Sequence, residues 1–160
     1  GASELFLPPI LDAFPELNIE VITTRSNNNL NRIKALVDHH HCGHLTLTVE
    51  PEEIALHMCE AGAAITAGGT TTVELAALGI PFITVAVASN QELPSMAWEN
   101  RGVYLHAGNI ESDDVVERVL GALQRLLENP DECLERSRRG REYVDGRGAH
   151  RILDHLTEEV

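Results

Sequence analysis

The stretch that most constrains this chain is Ala63-Ala64-Ile65-Thr66-Ala67-Gly68-Gly69-Thr70-Thr71-Thr72-Val73-Glu74-Leu75-Ala76-Ala77-Leu78-Gly79-Ile80-Pro81. Its apolar start, residues 63–66, reads as a short buried strand. Gly68 and Gly69 then permit a sharp turn and let another group approach the main chain closely. Three threonines follow, any of which suits a helix N-terminus. A helix is predicted from about Thr72 to Leu78, and Gly79 stands where such a helix stops. Residues 80–87 read as the next buried strand. The unit is strand, Gly-Gly turn, helix, strand. Such a turn aims unpaired N–H groups and the positive end of a helix dipole at one point, which is a seat for phosphate.

A Gly-Gly turn can also serve a purely steric end. The P-loop lysine and the third glycine of the dinucleotide fingerprint are both missing here. Glu74 adds a second feature, about one turn into the helix. A carboxylate there repels phosphate but accepts two hydrogen bonds from a ribose diol. The alternative is a capping box, in which Glu74 turns back to an N-terminal N–H. On the residues alone both readings stay open.

The rest of the chain repeats the alternation. Strands are predicted at 19–24, 45–49 and 103–105, besides 63–66 and 82–87. A first helix is expected over 7–14, with Pro8-Pro9 in its first turn, where proline is tolerated. A second carries Leu30, Ile33, Leu36 and Val37 at helical spacing. A third follows Glu50-Pro51-Glu52-Glu53 and draws its apolar content from Ile54, Leu56, Met58 and Cys59. Residues 92–100 form another. A long amphipathic helix bears Val115, Val116, Val119, Leu120, Leu123, Leu126 and Leu127 before Asn129-Pro130 breaks it. A further helical part carries Leu134, Tyr143 and Val144, and a closing helix spans 149–156. Strands alternating with helices imply an α/β domain, a parallel sheet with helices on both faces. Ligands of such sheets bind outside the carboxyl ends of the strands. Two loops leave strands there with suitable chemistry: the Gly68-Gly69 turn and Ser89-Asn90-Gln91.

Several function classes fall away. At 160 residues the chain makes one domain with a proper core. A formal net charge of −13 argues against nucleic acid, which needs a basic stripe. No apolar run reaches membrane-spanning length. Cys42, Cys59 and Cys133 are few, odd in number and far apart, which suits free thiols in a reducing cytoplasm. Cys59 reads as a small core residue. Asp38-His39-His40-His41-Cys42-Gly43-His44 has the look of a metal site. Consecutive histidines point in different directions, however, and zinc wants ligands converging from spaced positions. The favoured reading is the polar end of a helix, where histidine suits the dipole, so no metal and no cofactor is expected. The basic run Arg136-Ser137-Arg138-Arg139-Gly140-Arg141 reads as a solvated face. Ser89 and Ser95 lack a histidine partner, and His57 and His106 stand alone. No nucleophilic triad emerges, and the catalytic residues are unassigned.

Residues 65–81, Asn90-Gln91 and Val144-Asp145-Gly146-Arg147-Gly148-Ala149-His150-Arg151-Ile152 together resemble a known family. They are similar to the C-terminal domain of the UDP-sugar hydrolases of pseudaminic acid biosynthesis and the related spore-coat polysaccharide proteins. More distantly they resemble the peptidoglycan N-acetylglucosaminyltransferase, which shares the two-domain GT-B fold. The resemblance covers nearly the whole chain, and the last segment favours the hydrolase branch. It implies a Rossmann-like domain, the C-terminal half of a GT-B fold, with residues 1–160 forming one nucleotide-sugar-binding unit. It implies that Gly68, Gly69, Thr70 and Thr71 hold the diphosphate of UDP or a UDP-sugar. It further implies that Glu74 binds the ribose hydroxyls, that Asn90 and Gln91 contact the sugar, and that uracil packs near residues 49–54. In the family a preceding domain carries the catalytic histidine. Gly1-Ala2-Ser3-Glu4 resembles the family's turn after the first strand of this half, so the 160 residues are expected to be a fragment or one half of a split enzyme, without that catalytic domain and that first strand.

Three readings follow. The first is the UDP-binding half of a hydrolase that releases a deoxy-diacetamido sugar in nonulosonic acid or surface polysaccharide synthesis. The second is the corresponding half of a UDP-sugar-dependent glycosyltransferase. The third is a non-catalytic module of a split enzyme that docks a partner chain. In each the isolated chain is expected to be inactive.

Overall fold

The computed structural model describes residues 1–40 and 43–158. Among the described residues, five strands alternate with eight helices. In order they are α1 (Ala2–Ala13), β1 (Ile19–Thr23), α2 (Leu30–His39), β2 (Leu45–Val49), α3 (Ile54–Glu60), β3 (Ala64–Ala67), α4 (Thr71–Leu78) and β4 (Phe82–Ala86). A single 3-10 turn at Ser89–Gln91 leads to α5 (Glu92–Asn100), β5 (Leu105–Asn109), α6 (Val115–Glu128), α7 (Pro130–Tyr143) and α8 (Gly148–Glu158). All pairings are parallel. The expected α/β class is therefore what the chain adopts. The strands lie in two sheets, β1-β2 and β3-β4-β5, and not in one continuous sheet.

β4 is the centre. All five of its residues are buried, as an apolar run covered on both faces should be. Ile83 and Val85 point into a cluster with Phe6 and Ile10 of α1 and with Val115, Val119, Leu123 and Leu126 of α6. Phe82 points the other way, against Met58 of α3, Leu75 and Ala76 of α4, and Tyr104. A third cluster joins Leu7 and Leu11 of α1 to Val21, Ile33 and Leu45. The spacing of Val115, Val119, Leu123 and Leu126 is the helical stripe the sequence foretells for α6.

Several elements differ from expectation. α1 begins at Ala2, so Pro8 and Pro9 lie inside it. Two proline nitrogens forgo main-chain bonds there, and burial of Phe6, Leu7, Ile10 and Leu11 holds the helix regardless. β5 starts at Leu105 and runs to Asn109. Val103 and Tyr104 are instead buried lead-in residues packed with Phe82. In α3 only Met58 is buried, and Cys59 is exposed. The Arg136–Arg141 run is not simply a solvated face. Arg136 is 9% exposed and donates to the Tyr104 carbonyl at 2.7 Å and to Glu132. Arg139 and Arg141 donate to the carbonyls of Arg101 and Leu78. Arg138 alone matches expectation, paired with Glu135 and Glu142 at the surface. Part of the histidine cluster, His41 and Cys42, lies outside the described residues. Among the described residues, no group of three His, Cys, Asp or Glu side chains is placed to hold a metal ion. No helix among them is long and apolar enough to cross a membrane.

Candidate functional site

The carboxyl ends of β3 and β4 bring the two singled-out loops together. β3 ends at Ala67, and Gly68 stays tied to β4 through its N–H to the Val85 carbonyl at 3.3 Å. Gly69 donates to Ala67 at 2.8 Å, which tightens the turn. Neither glycine has a positive φ. Gly68 is required for space instead. A Cβ there would lie 2.8 Å from Ser95 Oγ and 3.1 Å from Gln91 Cβ. A Cβ on Gly69 would meet nothing within 4 Å, so its main chain faces open space.

α4 begins with Thr70 at its N-cap, in helical geometry and without a side-chain cap. Thr72 closes the first turn, its N–H and hydroxyl both bonding to the Gly69 carbonyl, the hydroxyl at 2.7 Å. The Val73 N–H bonds to Thr70. Among the described residues, the N–H groups of Thr70 and Thr71 have no acceptor. These two donors lie at the positive end of α4. No threonine caps the helix by its side chain, as the sequence invites one to expect.

Glu74 is the fourth residue of α4 and is exposed. A capping box needs the acid at the third position, which Val73 occupies. The Glu74 carboxylate makes no hydrogen bond or ion pair among the described residues. The far end of α4 is fixed. Gly79 stops it at φ 73°, and Gly140 of α7 packs on Ala76, where a Cβ would fall 2.8 Å from the Ala76 carbonyl oxygen.

The second loop divides its labour. Gln91 is half-buried, and its Oε1 accepts the Val87 N–H at 3.0 Å. Its stem lies against Gly68. Gln91 therefore shapes the wall behind the turn. Asn90 is exposed and makes no bond among the described residues. At the start of α5, Glu92 accepts from Asn109 Nδ2 at 2.5 Å and ties the loop to β5.

Ser95, weighed in the sequence only as a serine without a histidine partner, has a place in the packing that sequence reasoning missed. It is 1% exposed, lies beneath Gly68, and its Oγ makes no hydrogen bond of good geometry among the described residues. Burial pushes the Tyr104 phenol above its usual range, and the nearby Ser95 hydroxyl offsets only part of that rise. A polar residue in the register of a buried helix face was the available signal. The two histidines read as solitary both have partners. His57 Nδ1 lies 2.9 Å from Glu20 Oε1, and His106 Nδ1 lies 3.1 Å from Thr84 Oγ1. The Thr48 hydroxyl also bonds to Glu20 and, with His57, holds that carboxyl below its usual range.

Two hollows lie away from the turn. One, of about 560 Å³, is lined by Asp145, Arg147, His150, Arg151 and Asp154. Another, of about 770 Å³, lies between α1 and α6. The turn lies on one open wall. What that wall offers is two main-chain donors, a free carboxylate one turn on, and an exposed amide.

No protein-family model matches the chain, and no curated protein is significantly similar to it. Among solved structures, it superposes on one titled spinosyn forosaminyltransferase SpnP with a TM-score of 0.65. The two are 19% identical, and the match covers 98% of this chain and 38% of that one. The chain thus has the α/β fold of one half of a GT-B glycosyltransferase. It spans little over a third of the length of the protein it matches.

Proposed function

We propose that the chain is the nucleotide-sugar-binding half of a GT-B glycosyltransferase and that its ligand is UDP or a UDP-sugar. The observation that carries this reading is the pair of unpaired N–H groups of Thr70 and Thr71, with the free carboxylate of Glu74 one turn further on. The donors take the diphosphate, where the dipole of α4 adds to them. Glu74 takes the two ribose hydroxyls, at a distance from the phosphates that limits repulsion. Asn90 reaches toward the sugar, and Gln91 holds the turn in shape from behind.

The chemistry of transfer belongs to a facing wall. This half grips the nucleotide, and binding energy far from the reacting carbon orients the sugar for attack. A glycosyltransferase reading is preferred to a hydrolase because the fold match is to a transferase. Product analysis with the complementary half present separates the two. An acceptor glycoside supports transfer, and free sugar alone returns the hydrolase reading to the front.

The ribose assignment has its own test. UDP and 2′-deoxy-UDP are titrated calorimetrically into the chain and into Glu74→Ala. A hydrogen bond to a charged group contributes about 1.5 kcal/mol at the weak end, roughly a tenfold change in affinity. The native chain should favour UDP by about that factor, and the variant should bind both alike. An equal preference for UDP in both chains would overturn the role of Glu74.

A further inference from the structure

We propose that Ser95 positions the Gly68-Gly69 turn for its ligand. When an anion arrives at the head of α4, the peptide between Gly68 and Gly69 turns over, and the Ser95 hydroxyl donates to the Gly68 carbonyl that swings toward it. The proposal rests on the reading of the turn as a diphosphate seat.

Two polar groups at the turn stand unmatched in the observed conformation. The first is the Ser95 hydroxyl. Ser95 lies on α5 at 1% exposure, and among the described residues its Oγ has no hydrogen-bond partner. The Tyr104 phenol lies close by, without a bond of good geometry to it. A buried hydroxyl left unpaired is costly, and folded chains keep few of them. This one is aimed at the turn, since a Cβ on Gly68 would fall 2.8 Å from it. The second group is the Gly68 carbonyl, which accepts no hydrogen bond among the described residues. A donor and an acceptor thus meet at one glycine without pairing.

Gly69 points the same way. Its φ is not positive, and a Cβ on it would meet nothing within 4 Å. Nothing in the observed conformation asks for glycine there. Its N–H donates back to the Ala67 carbonyl at 2.8 Å, which closes a three-residue turn about Gly68 of the inverse γ form.

Turning the Gly68–Gly69 peptide over supplies what is missing. A planar trans peptide exchanges the directions of its C=O and N–H together. Only ψ of Gly68 and φ of Gly69 change, and the Gly68 N–H stays on the Val85 carbonyl of β4. The φ of Gly69 passes from negative to positive, a region that other L residues rarely enter. Glycine at 69 then has its reason. A left-handed Gly69 followed by Thr70 at φ −61° and ψ −29° is the alternation that gathers successive N–H groups around an anion. The Gly69 N–H leaves Ala67 and joins those of Thr70 and Thr71. The Gly68 carbonyl, moved to the opposite side, takes the hydrogen of Ser95.

The test titrates UDP calorimetrically into the native chain, Ser95→Ala, Gly69→Ala and a chain with D-alanine at position 69, with a urea titration of each. Ser95→Ala should bind about three- to tenfold more weakly, the loss of one neutral hydrogen bond, while its urea midpoint holds or rises. Gly69→Ala should bind roughly five- to thirtyfold more weakly, the cost of L-alanine in the left-handed region, with its midpoint unchanged. D-alanine favours positive φ, so that chain should bind UDP at least as tightly as the native one. A merely structural role predicts the reverse, lost stability with affinity intact. If the native chain binds UDP and either Ser95→Ala or Gly69→Ala binds it equally well, the turning peptide is overturned and the diphosphate seat stands. Weaker binding by the D-alanine chain, or a lowered midpoint in Ser95→Ala, would overturn it likewise. A native chain that does not bind UDP ends the diphosphate reading, and this proposal with it.

Discussion

Replacing Thr70 by proline separates the anion seat from the stability of the turn. Thr70 has φ −61° and ψ −29°, and proline fixes φ near −65°. Its N–H has no acceptor among the described residues, and its exposed side chain caps nothing. Gly69 before it lacks the Cβ that usually clashes with a following proline. The ring therefore removes one donor without breaking a bond. Fewer unfolded conformations should stabilise the chain by about 0.4–1 kcal/mol, a rise of roughly 1–4 °C at this size. If a diphosphate accepts from this N–H, the loss is one hydrogen bond to a charged group. At an exposed turn the lower end applies, about 1.5 kcal/mol, or roughly tenfold in affinity. Calorimetric titration with UDP and with uridine, beside a thermal scan, reads both effects. UDP should bind about tenfold more weakly, uridine should be unaffected, and the melting temperature should hold or rise. Unchanged UDP affinity in a stable variant would refute the N–H as a phosphate donor. A melting temperature lowered by several degrees would refute the geometry of the turn.

Two further predictions concern the scaffold. Gly68→Ala should destabilise by about 1–3 kcal/mol, the usual range for overpacking, because its Cβ meets Ser95 Oγ and Gln91 Cβ. Gly69→Ala should be nearly neutral in the same urea titration, and equal losses at the two positions would contradict the steric account. Acid should act on the ion pairs of α7 and α8. The Arg151 guanidinium, with the Arg147 N–H, holds Asp145 at about 2, and Arg138 and Arg139 hold Glu135 at about 2. Folded values below unfolded ones mean stabilisation that is present above the ordinary carboxylate range and lost as pH falls toward 2. Helical circular dichroism should hold at pH 5 and decline between about pH 4 and 2. Arg151→Gln should start that decline at higher pH, and an unshifted profile would dismiss the pair as a contributor.

The organising unit was legible because each of its parts has a local cause. Short apolar runs, two glycines and Gly79 specify strand, turn and helix stop without help from distant residues. Gly68 also shows the limit of such reading. Its need is space beside Ser95 and Gln91, twenty-odd residues away, and no local rule displays that. The open choice at Glu74 turned on one position. With the N-cap at Thr70, the acid falls one residue beyond the capping-box place. The arginine run was misread because charge composition does not reveal unpaired carbonyls. Those of Tyr104, Arg101 and Leu78 lie at the ends of other elements and need donors. In the same way, β5 moved toward Asn109 because Val103 and Tyr104, good strand formers, were drawn into the cluster around Phe82. The division into two sheets has no signature in periodicity, since β1 and β3 alternate as ordinary strands do.

The central claim is that the turn at the end of β3 seats the diphosphate of a nucleotide. Its most direct test is a titration of the folded chain with UDP, followed through amide NMR shifts, with Glu74→Ala alongside. The account predicts saturable shifts at Gly68, Gly69, Thr70 and Thr71, with weaker binding in the variant. A chain whose turn amides do not move at millimolar UDP would contradict it.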